Sequence, residues 1–251
     1  MYVRTKALDC LYLNWALPRD SAPALPSPLR YEVHEWRGAE HVFVSALLFR
    51  VSGLRFETLP LLRLSYPQMN CRVYVLDGDG TPSVLFRQML VPLWTVPVSR
   101  WLGRQPASAA RFSYPRPSYG EERDEWRWSI RRHRRLEVTG RLASPQLGPG
   151  PQLGSWEQTV DYFRRRQQGY VVWQRRLRPI GTSRVAAEVW PLAVEVAAAG
   201  LVAEGFGAAD PELWRTPHSA WLCPEIPFLF ELAELRAPAL AGSRVPAAEG
   251  C

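Results

Sequence analysis

The sequence predicts an α+β fold that is predominantly β, and three observations carry that prediction. Short segments in which apolar and polar residues alternate recur along the chain, as half-buried strands require. Gly- and Pro-containing turns punctuate them, the clearest being Asp77-Gly78-Asp79-Gly80. Only a few stretches, Pro92–Gly103 and Trp156–Gln168 foremost, space their apolar residues as a helix does. The chain has 251 residues, 47% of them apolar, with eleven tryptophans, enough for a large core. The expected organisation is one domain over residues 1–235 and a flexible C-terminal tail, 236–251, rich in Ala, Pro and Gly.

Taken in order, Leu11–Leu17 is the first strand, and prolines 18, 23, 26 and 28 make the following link turn-rich. Leu29–Trp36 and Glu40–Val51 are strands on either side of a reversal at Gly38; alternation in the second puts Val42, Val44, Ala46, Leu48 and Arg50 on one face. Ser52–Ser65 reads as a long loop of the kind that covers a site. Tyr66–Val75 and Ser83–Leu90 are strands joined by the Asp77–Gly80 turn, which lacks the ligand spacing of a calcium loop. In Pro92–Gly103 the residues Leu93, Trp94, Val98, Trp101 and Leu102 form a stripe expected to pack on the sheet, with a kink at Pro97 and a cap at Gly103. Ala109–Tyr114 is a strand and Pro115–Gly120 a turn. Glu125–Arg131 and Arg135–Leu142 then make a hairpin with Trp126, Trp128 and Ile130 on one face. After the Pro/Gly-rich loop Ser144–Gly154, Ser155 caps a helix over Trp156–Gln168 that turns Trp156, Val160 and Phe163 inward and stops at Gly169. Tyr170–Arg178 and Thr182–Trp190 form a hairpin through Pro179-Ile180-Gly181. Ala193–Val202 fits a short helix or a buried strand, and Ala220–Cys223 and Phe228–Leu235 are the last strands.

Tyr66–Val75 invites a functional reading. In a strand, Asn70, Arg72 and Tyr74 share one face, and Cys71, Val73 and Val75 share the other. The second is a core face; the first lines up an amide, a guanidinium and a phenol. Three segments, Ala46-Leu47-Leu48-Phe49-Arg50-Val51-Ser52-Gly53, Tyr66-Pro67-Gln68-Met69-Asn70-Cys71-Arg72-Val73-Tyr74-Val75 and Gly80-Thr81-Pro82-Ser83-Val84-Leu85-Phe86, are followed later by Trp190-Pro191-Leu192. In order and spacing they resemble the YqjF-like family of conserved bacterial proteins of unassigned function, over about Cys10 to Leu235. That family is similar in fold to acetoacetate decarboxylase. The resemblance therefore implies an acetoacetate-decarboxylase-like conical, mostly antiparallel β-barrel with a few peripheral helices and a polar cavity inside. It does not imply the same chemistry. The decarboxylase works through a Schiff-base lysine, whereas Lys6 is the only lysine here and is expected in a mobile N-terminus outside the resemblance. Gln105–Ala110, where the resemblance places the catalytic lysine segment, has none, and arginine forms no imine.

Other function classes are thinly supported. The net charge is +7, and two basic runs, Arg131-Arg132-His133-Arg134-Arg135 and Arg164-Arg165-Arg166, offer a nucleic-acid surface as one alternative. A solvated strand end and a helix C-terminus account for them as well, and no nucleic-acid-binding motif accompanies them, so nucleic acid is not the expected partner. Val185–Phe206, the most apolar long run, contains Glu188, Pro191, Glu195 and Glu204, so no membrane span is expected. No apolar segment suited to a signal peptide follows the first residues. Cys10, Cys71, Cys223 and Cys251 show no C-x-x-C spacing and read as reduced thiols, so the expected location is cytoplasmic. His34, His41, His133 and His218 are not spaced as metal ligands, although His34 and His41 could meet across a hairpin as a surface pair. No cofactor or metal is expected.

What remains is a polar cavity lined by Arg50, Asn70, Arg72, Tyr74 and Glu188. Buried guanidiniums need anionic partners. If a ligand supplies them, the chain binds a small organic acid or carbonyl compound, with Arg72 as a bidentate clamp and Tyr74 as a proton donor. If Glu188 and other carboxylates supply them, the chain is a scaffold with an internal Arg–carboxylate network. These residues assign no reaction.

Overall fold

Strand pairing runs further along the chain than local alternation indicates. The computed structural model describes residues 2–56, 59–101, 105–116, 124–166, 168–184, 187–207 and 212–231. Its strands are β1 (Tyr2–Pro18), β2 (Arg30–Tyr31), β3 (Val33–Trp36), β4 (Ala39–Phe56), β5 (Leu59–Leu76), β6 (Pro82–Val91), β7 (Ala107–Ala109), β8 (Arg111–Ser113), β9 (Trp126–Arg131), β10 (Arg135–Leu142), β11 (Gln168–Trp173), β12 (Arg176–Arg184), β13 (Trp190–Ala198) and β14 (Ser219–Glu231). Among the described residues three short α-helices accompany them, α1 (Val96–Trp101), α2 (Trp156–Arg164) and α3 (Gly200–Phe206). The predominantly β α+β class is thus the one observed.

The hydrogen-bonded path runs β1-β4-β5-β6-β11-β12-β14-β13-β10-β9-β8, and β14 also pairs with β1. The sheet is mostly antiparallel, as the resemblance implies, with two parallel pairings and a branch that the barrel reading does not include. β6 pairs in parallel with both β11 and β7, and a branch leaves β14 through β13 to end, among the described residues, at β8. A parallel neighbour requires a long crossover, and the segment between β6 and β11, which carries β7–β10 and α2, provides it.

Each face of the central strands has its own core. Leu11, Leu13 and Trp15 of β1, Val42, Val44, Ala46 and Leu48 of β4, and Met69, Cys71 and Val73 of β5 share a buried cluster with Trp126, Trp128, Ile130, Val196, Leu201 and Trp214. The branch and α3 therefore cover this face. The opposite face contributes Cys10, Tyr12, Phe43, Leu47, Tyr74, Trp221 and Cys223, which α2 covers with Val160 and Phe163. α2 starts where Ser155 and Gln158 exchange hydrogen bonds in a capping box: Gln158 N–H donates to Ser155 Oγ at 3.3 Å, and Ser155 N–H to Gln158 Oε1 at 2.7 Å.

Several expectations are corrected by these pairings. Ser52–Ser65 is not a loop: β4 and β5 continue into it, with Leu54 opposite Leu64 and Phe56 opposite Leu59 across register shifts. Lys6 is not in a mobile terminus. It sits in β1 opposite Pro227 and Ser52, with its ammonium 2.7 Å from Glu225 on the surface. α2 ends at Arg164, and Gln168 already belongs to β11. The hairpin after it turns at Gln174-Arg175, not at Pro179–Gly181. Both turn residues have positive φ, 50° and 63°, the geometry of a two-residue turn normally given to Asn or Gly. Ala193–Val202 is both things considered for it, the end of β13 and the start of α3. The helical stripe of α1 and the turn before it faces solvent instead of the sheet: Leu93, Trp94 and Trp101 are 75%, 57% and 84% exposed. The expected tail at 236–251, the end of the last strand beyond 231, the Gly103 cap and the 117–120 part of a predicted turn lie outside the described residues. Among the described residues, no helix is long and apolar enough to cross a membrane.

Candidate functional site

The polar face of β5 lies beneath α2. Asn70, Arg72 and Tyr74 alternate there as strand geometry requires, and all three are buried. Antiparallel pairing sets Ser45 opposite Arg72, Asn14 opposite Ser45, and Ser219 opposite Asn14. Residues directly opposite one another point to the same side of a sheet, so Ser219, Asn14, Ser45 and Arg72 form one polar row across β14, β1, β4 and β5.

Hydrogen bonds join the row. Arg72 Nη2 donates to Tyr74 Oη at 2.6 Å and to the Phe163 carbonyl of α2 at 2.9 Å. The Tyr74 and Ser45 hydroxyls are 2.9 Å apart, and Ser45 donates to Asn14 Oδ1 at 2.5 Å. Asn14 Nδ2 donates to the Ser219 carbonyl at 3.3 Å and its hydroxyl at 3.1 Å. Beyond Ser219, His218 Nε2 lies 3.1 Å from the Pro151 carbonyl. A carbonyl only accepts, so Nε2 carries the proton and Nδ1, 3.4 Å from Ser219 Oγ, is the acceptor. Burial pushes the His218 pKa down to about 4, against a smaller upward pull from the Pro151 hydrogen bond.

Asn14→Leu tests whether the row acts as a unit. It keeps approximate size but strands Ser45 and Ser219 in the interior, and is expected to cost about 2 kcal/mol in urea unfolding. Ser45→Ala added to it should cost much less than on the wild-type background, because the partner is already gone. Additive losses would mean that the row carries no coupling.

Arg72 is a cation buried without a carboxylate. Among the described residues no Asp or Glu forms an ion pair with it, and its Nε has no hydrogen-bond partner. Its guanidinium carbon lies 5.2 Å from the ring centres of both Tyr12 and Tyr74. Burial pulls its pKa down, but Tyr74, Tyr12 and Cys10 more than offset this and hold it above the ordinary value. The group stays charged.

A cleft of about 560 Å³ is lined by Glu32, Thr81, Pro82, Tyr162, Arg165, Arg166 and Gln168; Arg72 is not in its lining, and Arg166 links the two through the Tyr74 ring. Arg166 is almost fully buried, 2.7 Å from Glu32, and lies 4.4 Å from the Tyr162 ring centre and 5.5 Å from that of Tyr74. The Tyr74 ring therefore has Arg72 and Arg166 around it. Burial raises the Glu32 pKa, with Arg166 and then Tyr162 opposing. His34 Nε2 is 2.9 Å from Tyr162 Oη, and burial, reinforced by Arg166, lowers the His34 pKa.

Not every predicted residue joins the site. Arg50 pairs opposite Pro67, so strand parity puts it on the Cys71 and Val73 face, away from Arg72; there it donates to the carbonyls of Tyr114 at 3.3 Å and Pro115 at 3.1 Å. Glu188 is exposed in the extended link before β13 and not in a strand facing Arg72. His34 and His41 are directly opposed, as the hairpin reading allows, but His34 packs on Tyr162 and Phe43 while His41 packs on Trp36. No cluster of three metal-ligating side chains occurs among the described residues. In the basic runs, Arg132, Arg135 and Arg165 are ion-paired with Glu204, Glu137 and Asp161.

Sequence reasoning missed Asn14, Ser45, Glu32, Tyr162 and Arg166. One signal was available for the last: Val160, Phe163 and Arg166 are spaced by three, so Arg166 continues the buried stripe of α2 while Arg165 does not.

A family model for DUF2071, uncharacterized conserved protein, matches residues 4–227. No curated protein matches the chain. Among solved structures it is similar to an acetoacetate decarboxylase-like enzyme from Sphingomonas wittichii RW1, at 14% identity and a TM-score of 0.55 over 91% of this chain and 90% of that one. It is also similar to the enduracididine biosynthesis enzyme MppR complexed with pyruvate, at 12% identity and a TM-score of 0.57 over 91% and 87% of the two chains. The same enzyme with the condensation product of pyruvate and imidazole 4-carboxaldehyde gives 12% and 0.51 over 91% and 85%. At such identities the likeness is one of fold.

Proposed function

Because the chain belongs to the DUF2071 family of uncharacterised conserved proteins, and has an acetoacetate-decarboxylase-like fold, we propose that it binds a small organic acid or carbonyl compound against Arg72, Asn70 and Tyr74, without Schiff-base decarboxylase activity. One observation carries this reading: a buried, charged guanidinium whose described protein partners are a phenol and a carbonyl, with Nε unused. A carboxylate on the Nε–Nη edge completes such a group in bidentate fashion. The neighbouring Tyr74 hydroxyl is then within reach of a ligand carbonyl oxygen as a proton donor. The cleft at Glu32, Tyr162 and Arg166 is the approach this reading requires, its Arg166 lying 5.5 Å from the Tyr74 ring centre. MppR, of similar fold, is complexed with pyruvate, a small acid that also carries a ketone. The absence of imine chemistry is supported by Lys6, the only lysine, whose ammonium is solvent-exposed and paired with Glu225. Arg50 and Glu188 are left out of this site for the reasons of face and exposure given above.

A thermal-shift series with pyruvate and related small acids, run on the wild type and on Arg72→Met, tests the proposal. At a hundredfold excess over Kd the wild type should gain about 2.7 kcal/mol, and a folded Arg72→Met should gain nothing. The Arg166–Glu32 pair supports a second reading, the internal Arg–carboxylate scaffold. Acids without effect on the wild type, together with an Arg72→Met protein that fails to fold, would favour that scaffold. Equal shifts in both proteins would move the ligand elsewhere.

A further inference from the structure

Two of the cysteines that look scattered in sequence are neighbours in space. Cys10 of β1 is directly opposite Cys223 of β14, in a register that stays constant from Tyr2 opposite Glu231 to Asn14 opposite Ser219. Both are fully buried thiols of the same core cluster, and the next pair on that face is Tyr12 opposite Trp221. Opposed residues of an antiparallel pair have Cα atoms about 4.5 or about 5.5 Å apart, depending on the hydrogen-bonding site. Both values fall within the range of about 4.4–6.8 Å that a disulfide spans. Direct opposition also points both Cβ atoms to the same side of the sheet, the arrangement that a bridge requires.

Tyr12, two residues from Cys10 on the same face, lies against the Arg72 guanidinium, so the pair shares its core with that cation. Cys71 belongs to the other core, beside Gln88, and is not opposite either of the two thiols.

We propose that Cys10 and Cys223 are a redox dithiol that closes into a cross-strand disulfide when the protein meets a hydroperoxide. The Cys10 sulfur attacks the terminal peroxide oxygen, the O–O bond breaks, and the other oxygen leaves with the thiol proton, as an alcohol from an organic hydroperoxide or as water from hydrogen peroxide. The resulting sulfenic acid is attacked by the Cys223 sulfur; the S–S bond forms, the S–O bond breaks, and hydroxide leaves as water. Two thiols lose two electrons and two protons, and the peroxide is reduced. A dithiol reductant reverses the change. The bond staples β1 to β14 where each borders the face that holds Arg72, and it does not depend on the ligand reading.

Treating the folded full-length protein with hydrogen peroxide, followed by non-reducing peptide mapping and a thermal melt, tests this. The expected result is one Cys10–Cys223 linked peptide, the loss of two titratable thiols, and a melting midpoint raised by roughly 5 °C or more that dithiothreitol reverses. Cys71→Ser should retain the linked peptide, and Cys10→Ser should abolish it. The melt of the wild type with and without dithiothreitol gives an answer even if Cys10→Ser does not fold. A bridge involving Cys71 or Cys251 in place of this pair overturns the proposal. So does a folded protein that keeps all its thiols under a peroxide dose that oxidises the urea-unfolded chain.

Discussion

Phe163→Ala is expected to lower the unfolding free energy by about 3–5 kcal/mol. Phe163 is fully buried and is the central contact between α2 and the sheet. Its ring centre lies 5.1 Å from Phe43, 5.0 Å from Tyr74, 5.1 Å from Tyr162 and 5.7 Å from Trp221. Truncation removes the transfer free energy of the ring and leaves a void bounded by other rigid rings, which collapse poorly into it. Its backbone carbonyl also accepts the hydrogen bond from Arg72, so a helix that resettles weakens the acceptor of a buried cation. Urea unfolding measures the loss, and Trp101→Ala is the control. That side chain is 84% exposed and its removal should change stability by no more than about 0.5 kcal/mol. A loss below about 1 kcal/mol for Phe163→Ala would mean that α2 is not seated on the sheet as described.

Acidification is the second large effect. His218 has a pKa of about 4 in the folded protein against an ordinary 6.5. Below pH 6.5 the unfolded chain takes up a proton at this ring, and the folded chain does not until about pH 4. Stability contributed by the neutral ring is therefore full above 6.5 and falls as pH drops toward 4, by about 3 kcal/mol in the limit. Burial is the dominant cause, because the folded state offers the imidazolium no water and only one carbonyl. His218→Gln keeps a donor for Pro151 and removes the titration. The difference in unfolding free energy between the two proteins, measured at pH 7 and at pH 4.5, should change by about 2 kcal/mol, to the disadvantage of the histidine. Comparing the two proteins cancels other groups, such as Glu32, whose raised pKa acts in the opposite sense. Parallel pH profiles would show that the ring can be protonated without loss of structure.

What could be read from the amino-acid order was what depends on neighbours in the chain. Alternation places Asn70, Arg72 and Tyr74 on one face, and the same rule turns Trp126, Trp128 and Ile130 inward. Ser155 announces its helix because the cap and its Gln158 partner are three residues apart. The rest depends on strand register between distant segments. Nothing near Asn14 says that Ser45 and Ser219 will stand on either side of it, and nothing near Cys10 points to Cys223. The same limit explains the inclusion of Arg50: its face is polar only at the end, and pairing with Pro67 decides which core it joins. The turn at Gln174-Arg175 shows tertiary pairing overriding turn preference, since Pro179 and Gly181 are the stronger local signals and lie within β12. Exposed Trp94 and Trp101 mislead in another way, because helical spacing of apolar residues says that a stripe exists and not what covers it.

The union of β1 with β14 has a consequence for how the molecule is made. Of the fourteen described strands, synthesis delivers β1 first and β14 last, and the two then pair along most of their length. Until that moment one edge of β1 has unpaired amides and carbonyls, although β4 can already occupy the other. Contacts so distant in sequence are slow to form, because most of the chain must be ordered before they repay its entropy. The nascent chain thus carries an open, sticky strand for much of its time on the ribosome. Productive folding is expected to begin with the β4–β5–β6 meander and to conclude in a single late docking of β14, which completes the Ser219–Asn14–Ser45–Arg72 row in the same event.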